Sequence, residues 1–199
     1  MDYAIGIVTY QPDIVRLQEN LKAATQGVPL IVVDNGSNNI ADIRTLADGM
    51  ILIENSSNLG IAAALNQLCR QAQALSCEWL VTLDQDSVIQ PGMLEAFSHY
   101  TDQPALGIIC PRIEDRYLGR QHTHLTSGTE YVAHAITAGN MVRLKAWQAV
   151  QGFTEELFID GVDFDFCLKL REAGWQILRT NNVCLYQEMG HGRKSTLHL

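Results

Sequence analysis

Residues 79–87 read WLVTLDQDS, an apolar run that ends in two aspartates. Residues 79–83 are apolar or β-branched, which is typical of a strand buried on both faces of a sheet. Asp84 and Asp86 follow where the chain leaves that strand, so both side chains can turn toward one point. Hard divalent cations such as Mg²⁺ and Mn²⁺ bind one or two carboxylates and take their other ligands from phosphate and water. A solvated loop with a capping aspartate has the same pattern, and these residues alone do not distinguish the two.

Four further short apolar runs alternate with helical patterns along the chain. They predict strands over 4–9, 30–34, 50–54 and 107–111, and helical spacing of apolar residues predicts helices over 14–23, 40–46, 61–75 and 93–100. This alternation predicts an α/β fold with a mostly parallel central sheet flanked by helices. Because ligands bind at the carboxyl ends of strands in such sheets, the candidate site segments are 9–10, 34–37, 55–60 and 84–86.

After residue 111 the pattern changes. Residues 114–129 are polar and predict a loop or an irregular hairpin, which contains His122 and His124. The elements predicted beyond it are a strand over 131–138, helices near 146–150 and over 166–173, and short strands over 175–179 and 183–185. No repeat or change of composition marks a boundary, so residues 1–199 are expected to form one domain.

Composition and missing motifs exclude several classes of protein. The hydrophobic content of 47% and charged content of 18% are ordinary for a soluble globular protein, and no apolar run is long enough to span a membrane. A net charge of −8 disfavours a nucleic-acid polymer as partner, although a nucleotide can be held through a cation. The five cysteines form no C-x-x-C pair, which favours free thiols in a reducing cytoplasm. The chain has no P-loop, no dinucleotide fingerprint and no G-x-S-x-G elbow.

Two other strand ends carry polar or small residues. Asp34 leads into an Asn-Gly turn, where its carboxylate could accept hydrogen bonds from a nucleobase or ribose, although the same residues also form ordinary turns. Gly60 precedes the small residues 61–64, and a helix beginning there would favour a nearby diphosphate through its free N–H groups. Close packing of that helix is the alternative interpretation.

The segment 158–167, FIDGVDFDFC, places three aspartates among aromatic and aliphatic residues. A carboxylate beside apolar walls has a raised pKa, which suits a general base. Capping of the following helix by Asp163 or Asp165 is the alternative and accounts for one aspartate. Three aspartates in such apolar surroundings indicate more than a cap.

The four segments at Asp34, at Gly60, at Asp84 to Asp86 and at 158–167, in this order along the chain, resemble those of family-2 glycosyltransferases of GT-A fold, and among them the bacterial rhamnosyltransferase branch. The similarity runs from Ile7 to about Gly190, nearly the whole chain. It implies that Asp84 and Asp86 match the family's D-x-D motif and hold Mg²⁺ or Mn²⁺, and that Asp163 matches the catalytic base. The nucleotide-sugar site that it implies is lined by Thr9, Tyr10, Asp34, Asn58, Gly60, Asn66, Asp84, Gly139 and Asn140.

The activity implied by the resemblance is transfer of a sugar with inversion at its anomeric carbon. The donor would be dTDP- or UDP-linked, with dTDP-L-rhamnose the expected one. The acceptor would be a glycan or a lipid-linked glycan of the cell surface, such as lipopolysaccharide O-antigen. We expect a cytoplasmic location with peripheral association at the inner face of the membrane, and one catalytic domain that lacks the C-terminal extension of longer relatives.

Two positions depart from the family pattern. Val162 stands where the family has a Glu before its base, and Asp160 lies three residues before Asp163, so either aspartate could take that role. Gln187 stands in the family's histidine position, which makes the nearby His191 a further candidate metal ligand. Two other functions are considered: a nucleotide-sugar-binding module without turnover, and a sugar nucleotidyltransferase. The second usually has a Gly-rich basic loop after the first strand, and residues 9–12 here read TYQP.

Overall fold

The computed structural model describes residues 2–24, 27–115 and 128–187. Its strands are β1 (Tyr3–Thr9), β2 (Leu30–Asp34), β3 (Ile51–Glu54), β4 (Trp79–Asp84), β5 (Leu106–Asp115), β6 (Thr129–Tyr131), β7 (Asn140–Arg143) and β8 (Gln176–Gln187). Its helices are α1 (Ile14–Ala24), α2 (Ile40–Leu46), α3 (Ile61–Ala74), α4 (Met93–Ser98), α5 (Leu144–Ala149) and α6 (Val162–Glu172), with one 3₁₀ turn at Glu155–Leu157. None of the helices in these ranges combines the length and apolar content that a membrane span requires.

The strands of the described ranges form one sheet in the order β3-β2-β1-β4-β7-β5-β8-β6. The first four in this order run parallel to one another. β7 is antiparallel to both β4 and β5, β5 and β8 are parallel, and β6 is antiparallel to β8. The predicted α/β fold with a mostly parallel sheet is confirmed, and the antiparallel pairs are confined to one half.

Helices cover both faces of the sheet because the central strands alternate their apolar side chains. In β1, Ile5 and Ile7 join the core cluster that contains Leu17 and Phe97, whereas Ala4 and Val8 join the opposite one. Gly6 lies where a Cβ would come within 2.9 Å of the Leu68 side chain on α3. This contact and the buried alanines 62–64 show that the small residues let α3 pack closely on the sheet.

The first five predicted strands and first four helices are confirmed, with ends shifted by no more than four residues. Three predictions for the second half are wrong. The strand expected over 131–138 lies instead at Thr129–Tyr131 and shares one residue with the prediction. The two short final strands are one twelve-residue strand, and α6 begins four residues before the predicted 166. As a result, Asp163 and Asp165 lie in the first turn of a helix and not in a loop before it.

Candidate functional site

Three of the predicted site segments meet at the carboxyl edge of the sheet. Thr9 pairs with Asp34 across β1 and β2, and Val8 pairs with Asp84 across β1 and β4. The loops that follow these strands therefore leave the sheet side by side. From β1 the chain adds β2 and β3 on one side of the sheet and then β4 on the other. This reversal of strand order is the usual position of a ligand crevice in α/β folds.

Asp34 organises the turn that follows β2. Its Oδ1 accepts hydrogen bonds from Thr9 Oγ1 at 3.0 Å and Ser37 Oγ at 2.5 Å, and its Oδ2 accepts the backbone N–H of Ser37 at 2.8 Å. Both Asp34 and Thr9 are buried. Their predicted contact with a nucleotide stays a prediction, since the hydrogen bonds of the structure bind these side chains to one another and to the turn.

Asn35 links the two neighbouring loops and was not singled out from the sequence. Its Nδ2 donates to Asn58 Oδ1 and to the Gly60 carbonyl, both at 3.0 Å, and its Oδ1 accepts from Asn55 Nδ2 and the Leu59 N–H. Asn58 Oδ1 also accepts the Gly60 N–H at 2.9 Å. Asn58 and Gly60, both predicted to touch the donor, are thus held in place by a buried amide. No sequence pattern signals such a long-range hub.

The first N–H of α3 is bonded within the protein, which favours the close-packing interpretation over a diphosphate site there. The Ile61 N–H donates to the Phe158 carbonyl at 2.6 Å. Gly60 has φ +86°, and a Cβ there would lie 2.7 Å from the same Phe158 carbonyl. The first helical N–H is therefore bonded to the protein, and glycine is required because the segment before α6 presses against it.

Asn66 is hydrogen-bonded within the protein, and its predicted contact with the nucleotide sugar stays a prediction. Its Oδ1 accepts Trp147 Nε1 and the Phe153 N–H, each at 2.9 Å. Its Nδ2 donates to the Phe153 carbonyl at 2.9 Å and to Glu155 Oε1 at 2.8 Å. Because the side chain is buried and both atoms bond to protein groups, it ties α3 to the segment between α5 and α6.

The aspartate pair lies in a tight turn at the end of β4. The Ser87 N–H donates to the Asp84 carbonyl at 3.1 Å, so Asp84 and Asp86 are the first and third residues of that turn. Burial, with smaller contributions from the charges of Asp86 and Asp163, raises the pKa of Asp84 to about 7. Asp84 therefore lies close to both of the other carboxylates, and a cation bound by Asp84 and Asp86 would offset their negative charge.

The donor set suits a hard divalent cation that keeps several ligands from outside the protein. Two carboxylates, with phosphate and water completing the shell, are the usual set for Mg²⁺ or Mn²⁺. Within the described ranges no group of three or more His, Cys, Asp or Glu side chains is placed to hold a metal ion, so the protein would supply the Asp84 and Asp86 pair alone from these ranges. The histidines considered as ligands, His191 and the pair His122 and His124, lie outside the described residues.

The acidic segment divides its aspartates between different surroundings. Asp163 Oδ1 accepts the Thr137 N–H at 3.1 Å, and burial raises its pKa while the hydrogen bonds from Thr137 lower it. Asp165 Oδ2 instead accepts Thr154 Oγ1 at 2.6 Å and lies 3.9 Å from Lys169 Nζ. Asp160 is exposed, before the start of α6. Of the three aspartates in this segment, Asp163 is the one whose charge raises the pKa of Asp84.

Gly139 and Asn140 lie beside β4, at the start of β7. The Gly139 N–H donates to the Thr82 carbonyl at 2.7 Å, and its φ of +77° suits glycine. Asn140 is buried, and its Oδ1 has no hydrogen-bond partner among the described residues. Their predicted contact with the donor sugar stays a prediction, and the unpaired oxygen is the polar atom that such a ligand could use.

Gln85, the middle residue of the D-x-D motif, joins the first and fourth loops. Its Oε1 accepts the Tyr10 N–H at 2.8 Å, while the Tyr10 side chain is 47% exposed. An exposed ring on a fixed backbone can stack on a base, which agrees with the predicted role of Tyr10. Gln85 was missed because the motif defines only its two aspartates.

Comparison with known proteins gives matches at the level of family and of fold. Residues 5–168 match the family described as "Glycosyl transferase family 2". The dTDP-rhamnosyl transferase RfbF of Shigella flexneri is 31% identical over an alignment that covers 86% of this chain and 64% of that protein.

Solved structures share the fold at much lower identity. The mannosyltransferase PcManGT from Pyrobaculum calidifontis, in complex with GDP-Man and Mn²⁺, superposes with a TM-score of 0.74 at 14% identity, over 96% of this chain and 58% of that one. S. aureus TarS 1-349 in complex with UDP-GlcNAc gives a TM-score of 0.77 at 16% identity, over 100% of this chain and 62% of that one. The chain thus spans less than two thirds of each of these three proteins.

Proposed function

Since the chain belongs to glycosyl transferase family 2, we propose that it is an inverting glycosyltransferase that moves a sugar from a nucleotide sugar to a glycan acceptor. The observation that carries the proposal is the grouping of Asp84, Asp86 and Asp163 at the carboxyl edge of the sheet. A binding module needs no third carboxylate beside the pair that holds the cation. A transferase needs one to accept a proton.

Asp84 and Asp86 would hold Mg²⁺ or Mn²⁺. When bound, the cation would supply positive charge that stabilises the departing nucleoside diphosphate. The Pyrobaculum mannosyltransferase of the same fold is described with GDP-Man and Mn²⁺, which supports a divalent ion here. His191 stays a candidate further ligand.

Asp163 would act as the general base. Its carboxylate would accept the proton of the acceptor hydroxyl while that oxygen attacks the anomeric carbon from the face opposite the leaving diphosphate. Burial raises the pKa of this carboxylate, so it takes up a proton more readily than an exposed aspartate does. The Thr137 N–H fixes its direction. Asp160 is the alternative base, and its exposed position before α6 makes it the weaker candidate.

The donor we propose is dTDP-L-rhamnose, because the Shigella relative is named a dTDP-rhamnosyl transferase. The acceptor would be a cell-surface glycan or its lipid-linked precursor, reached by peripheral association with the cytoplasmic face of the membrane. Tyr10, Asn58, Gly60, Gly139 and Asn140 are the residues we propose for contact with the donor.

A thermal-shift screen of nucleotide sugars, with and without Mn²⁺, tests the proposal because a ligand that binds only the native state raises the melting temperature. We expect dTDP-L-rhamnose to stabilise the chain in a Mn²⁺-dependent way, ahead of UDP- and GDP-linked sugars. A product assay with the stabilising donor then separates transfer from binding without turnover. Absence of stabilisation by any nucleoside diphosphate with Mn²⁺ would overturn the proposal.

A further inference from the structure

Asn20 is a fully buried asparagine on the apolar face of α1. It lies among Leu17, Leu21 and Ala24, which pack against the sheet, and its exposed fraction is 0%. Its Nδ2 donates to the backbone carbonyl of Asp84 at 2.8 Å. Its Oδ1 is buried and has no hydrogen-bond partner among the described residues. An unpaired buried oxygen costs stability, so the side chain is poorly suited to this position as a packing element alone.

The carbonyl that Asn20 contacts is the one that closes the aspartate turn. It also accepts the Ser87 N–H at 3.1 Å, and Ser87 is itself buried. Two donors, one from the turn and one from a helix beneath it, therefore fix the same oxygen. The direction of this peptide group sets where the chain places Asp86 relative to Asp84.

The hydrogen bond that closes this turn, from the Ser87 N–H to the Asp84 carbonyl, is 3.1 Å long. A turn free to open would separate the two carboxylates. The shorter hydrogen bond of 2.8 Å from Asn20, on the buried face of α1, resists that opening.

We propose that Asn20 is a positioning residue that holds the aspartate turn in the arrangement that binds a divalent cation. The inference rests on the proposed function, in which Asp84 and Asp86 hold the cation. Asn20 acts through the Asp84 backbone and touches neither donor nor acceptor. Groups that orient metal ligands from outside the coordination shell typically change metal affinity about 10–100-fold when removed.

The test uses the full chain with Asn20→Leu, which keeps the number and branching of side-chain heavy atoms and removes both the donor and the unpaired oxygen. The Asp84 carbonyl keeps its bond from Ser87 in this variant. Titration calorimetry with Mn²⁺ in saturating dTDP should show a Kd about 10-fold higher than in the wild type. The metal-free melting temperature should be unchanged or higher, and amide exchange over residues 85–88 should be faster without metal.

Asn39→Leu is the matched control. Asn39 Nδ2 donates to the Pro12 carbonyl at 3.0 Å and its Oδ1 is also unpaired among the described residues, but it does not contact the aspartate turn. This variant should keep the wild-type Kd for Mn²⁺. If Asn20→Leu lowers the metal-free melting temperature, Asn20→Ala replaces it, because alanine removes the same donor without filling the site.

The outcomes separate the two proposals. A wild-type Kd for Mn²⁺ in Asn20→Leu, or in Asn20→Ala where that variant is used, overturns the positioning role and leaves the proposed function intact. Equal weakening in the Asn20 and Asn39 variants also overturns it, since the effect would then not be specific to the turn. A wild-type chain that binds no Mn²⁺ with dTDP overturns both.

Discussion

Two segments of this chain carry aspartates two residues apart, and the backbone gives the two pairs opposite arrangements. Asp84 and Asp86 follow a strand, in a turn that brings both carboxylates to one place. Asp163 and Asp165 lie in the first turn of α6. At about 100° per residue, side chains two positions apart on a helix point to nearly opposite sides. One pair can therefore share a ligand, and the other cannot.

The contacts of the helical pair show this division. Asp163 faces Thr137 and the aspartate turn, whereas Asp165 faces Thr154 and Lys169. Asp163 is thus added to the first pair as a third carboxylate, and Asp165 belongs to the packing of the segment before α6. Spacing in the sequence predicts shared chemistry only when the local backbone is also known.

Asp163→Asn should have the largest effect, since it removes the proposed base without changing the side chain's size. We expect transfer to fall by about 10³-fold, within the range for loss of a general base, while binding of donor with Mn²⁺ stays near wild type. Product formation and calorimetry on the same preparations measure the two quantities. Asp160→Asn is the matched variant and should keep most activity. The reverse result would move the base to Asp160.

Asp84→Asn and Asp86→Asn should weaken Mn²⁺-dependent binding of dTDP by about 100-fold, because each removes a charged ligand. Calorimetry with and without Mn²⁺ measures the change, and binding without metal should be unaffected. Asp42→Asn changes an exposed aspartate on α2 and serves as control. Equal affinity in Asp84→Asn and wild type would show that the turn does not hold the cation.

The strands and helices of the first half of the fold could be predicted because the sequence patterns that indicate them are local. Strands β1, β2 and β4 are buried apolar runs with polar residues directly after them, and the parallel arrangement follows from their alternation with helices. β8 was predicted as two strands because Thr180, Asn181 and Asn182 interrupt its apolar pattern. Its pairing with β5 absorbs that interruption by a shift of register at residues 111–112.

Residues of the candidate site could be predicted from the sequence only where they belong to a recognised motif. Asn35 and Asn66 bond to groups up to 89 residues away in the sequence, and no local pattern reveals such partners. The start of α6 was hidden because aspartates occupy its first turn, which masks the helical period of the apolar residues. Asn20 did leave a signal, since it stands in the apolar pattern of 17, 21 and 24.

Asn66→Ala tests whether the segment between α5 and α6 depends on its hydrogen bonds to Asn66 of α3. The variant leaves Trp147 Nε1 and the Phe153 N–H without their acceptor. Unpaired buried donors cost about 1–3 kcal/mol each, so with two of them we expect the free energy of unfolding to fall by about 2–6 kcal/mol. Urea denaturation measures this, with Gln73→Ala on the exposed side of α3 as control. Donor affinity should be unchanged in the folded protein, whereas loss of affinity without loss of stability would support the predicted contact of Asn66 with the donor.

Asp165→Asn should have the smallest effect, and it separates the role of Asp165 from that of Asp163 on the same helix. The amide oxygen of asparagine can still accept the Thr154 hydroxyl, so the short hydrogen bond of 2.6 Å has a replacement. The pair with Lys169 is long, at 3.9 Å, and Lys169 keeps its hydrogen bond of 2.6 Å to the Gly152 carbonyl. Exposed or partly exposed ion pairs four residues apart on a helix contribute about 0.3–0.5 kcal/mol, so the loss of stability should not exceed about 0.5 kcal/mol. Transfer should stay within about twofold of wild type, because no charge near Asp84 changes. A loss of transfer comparable to that of Asp163→Asn would mean that both carboxylates act in the site, and that the division made by the helix does not hold.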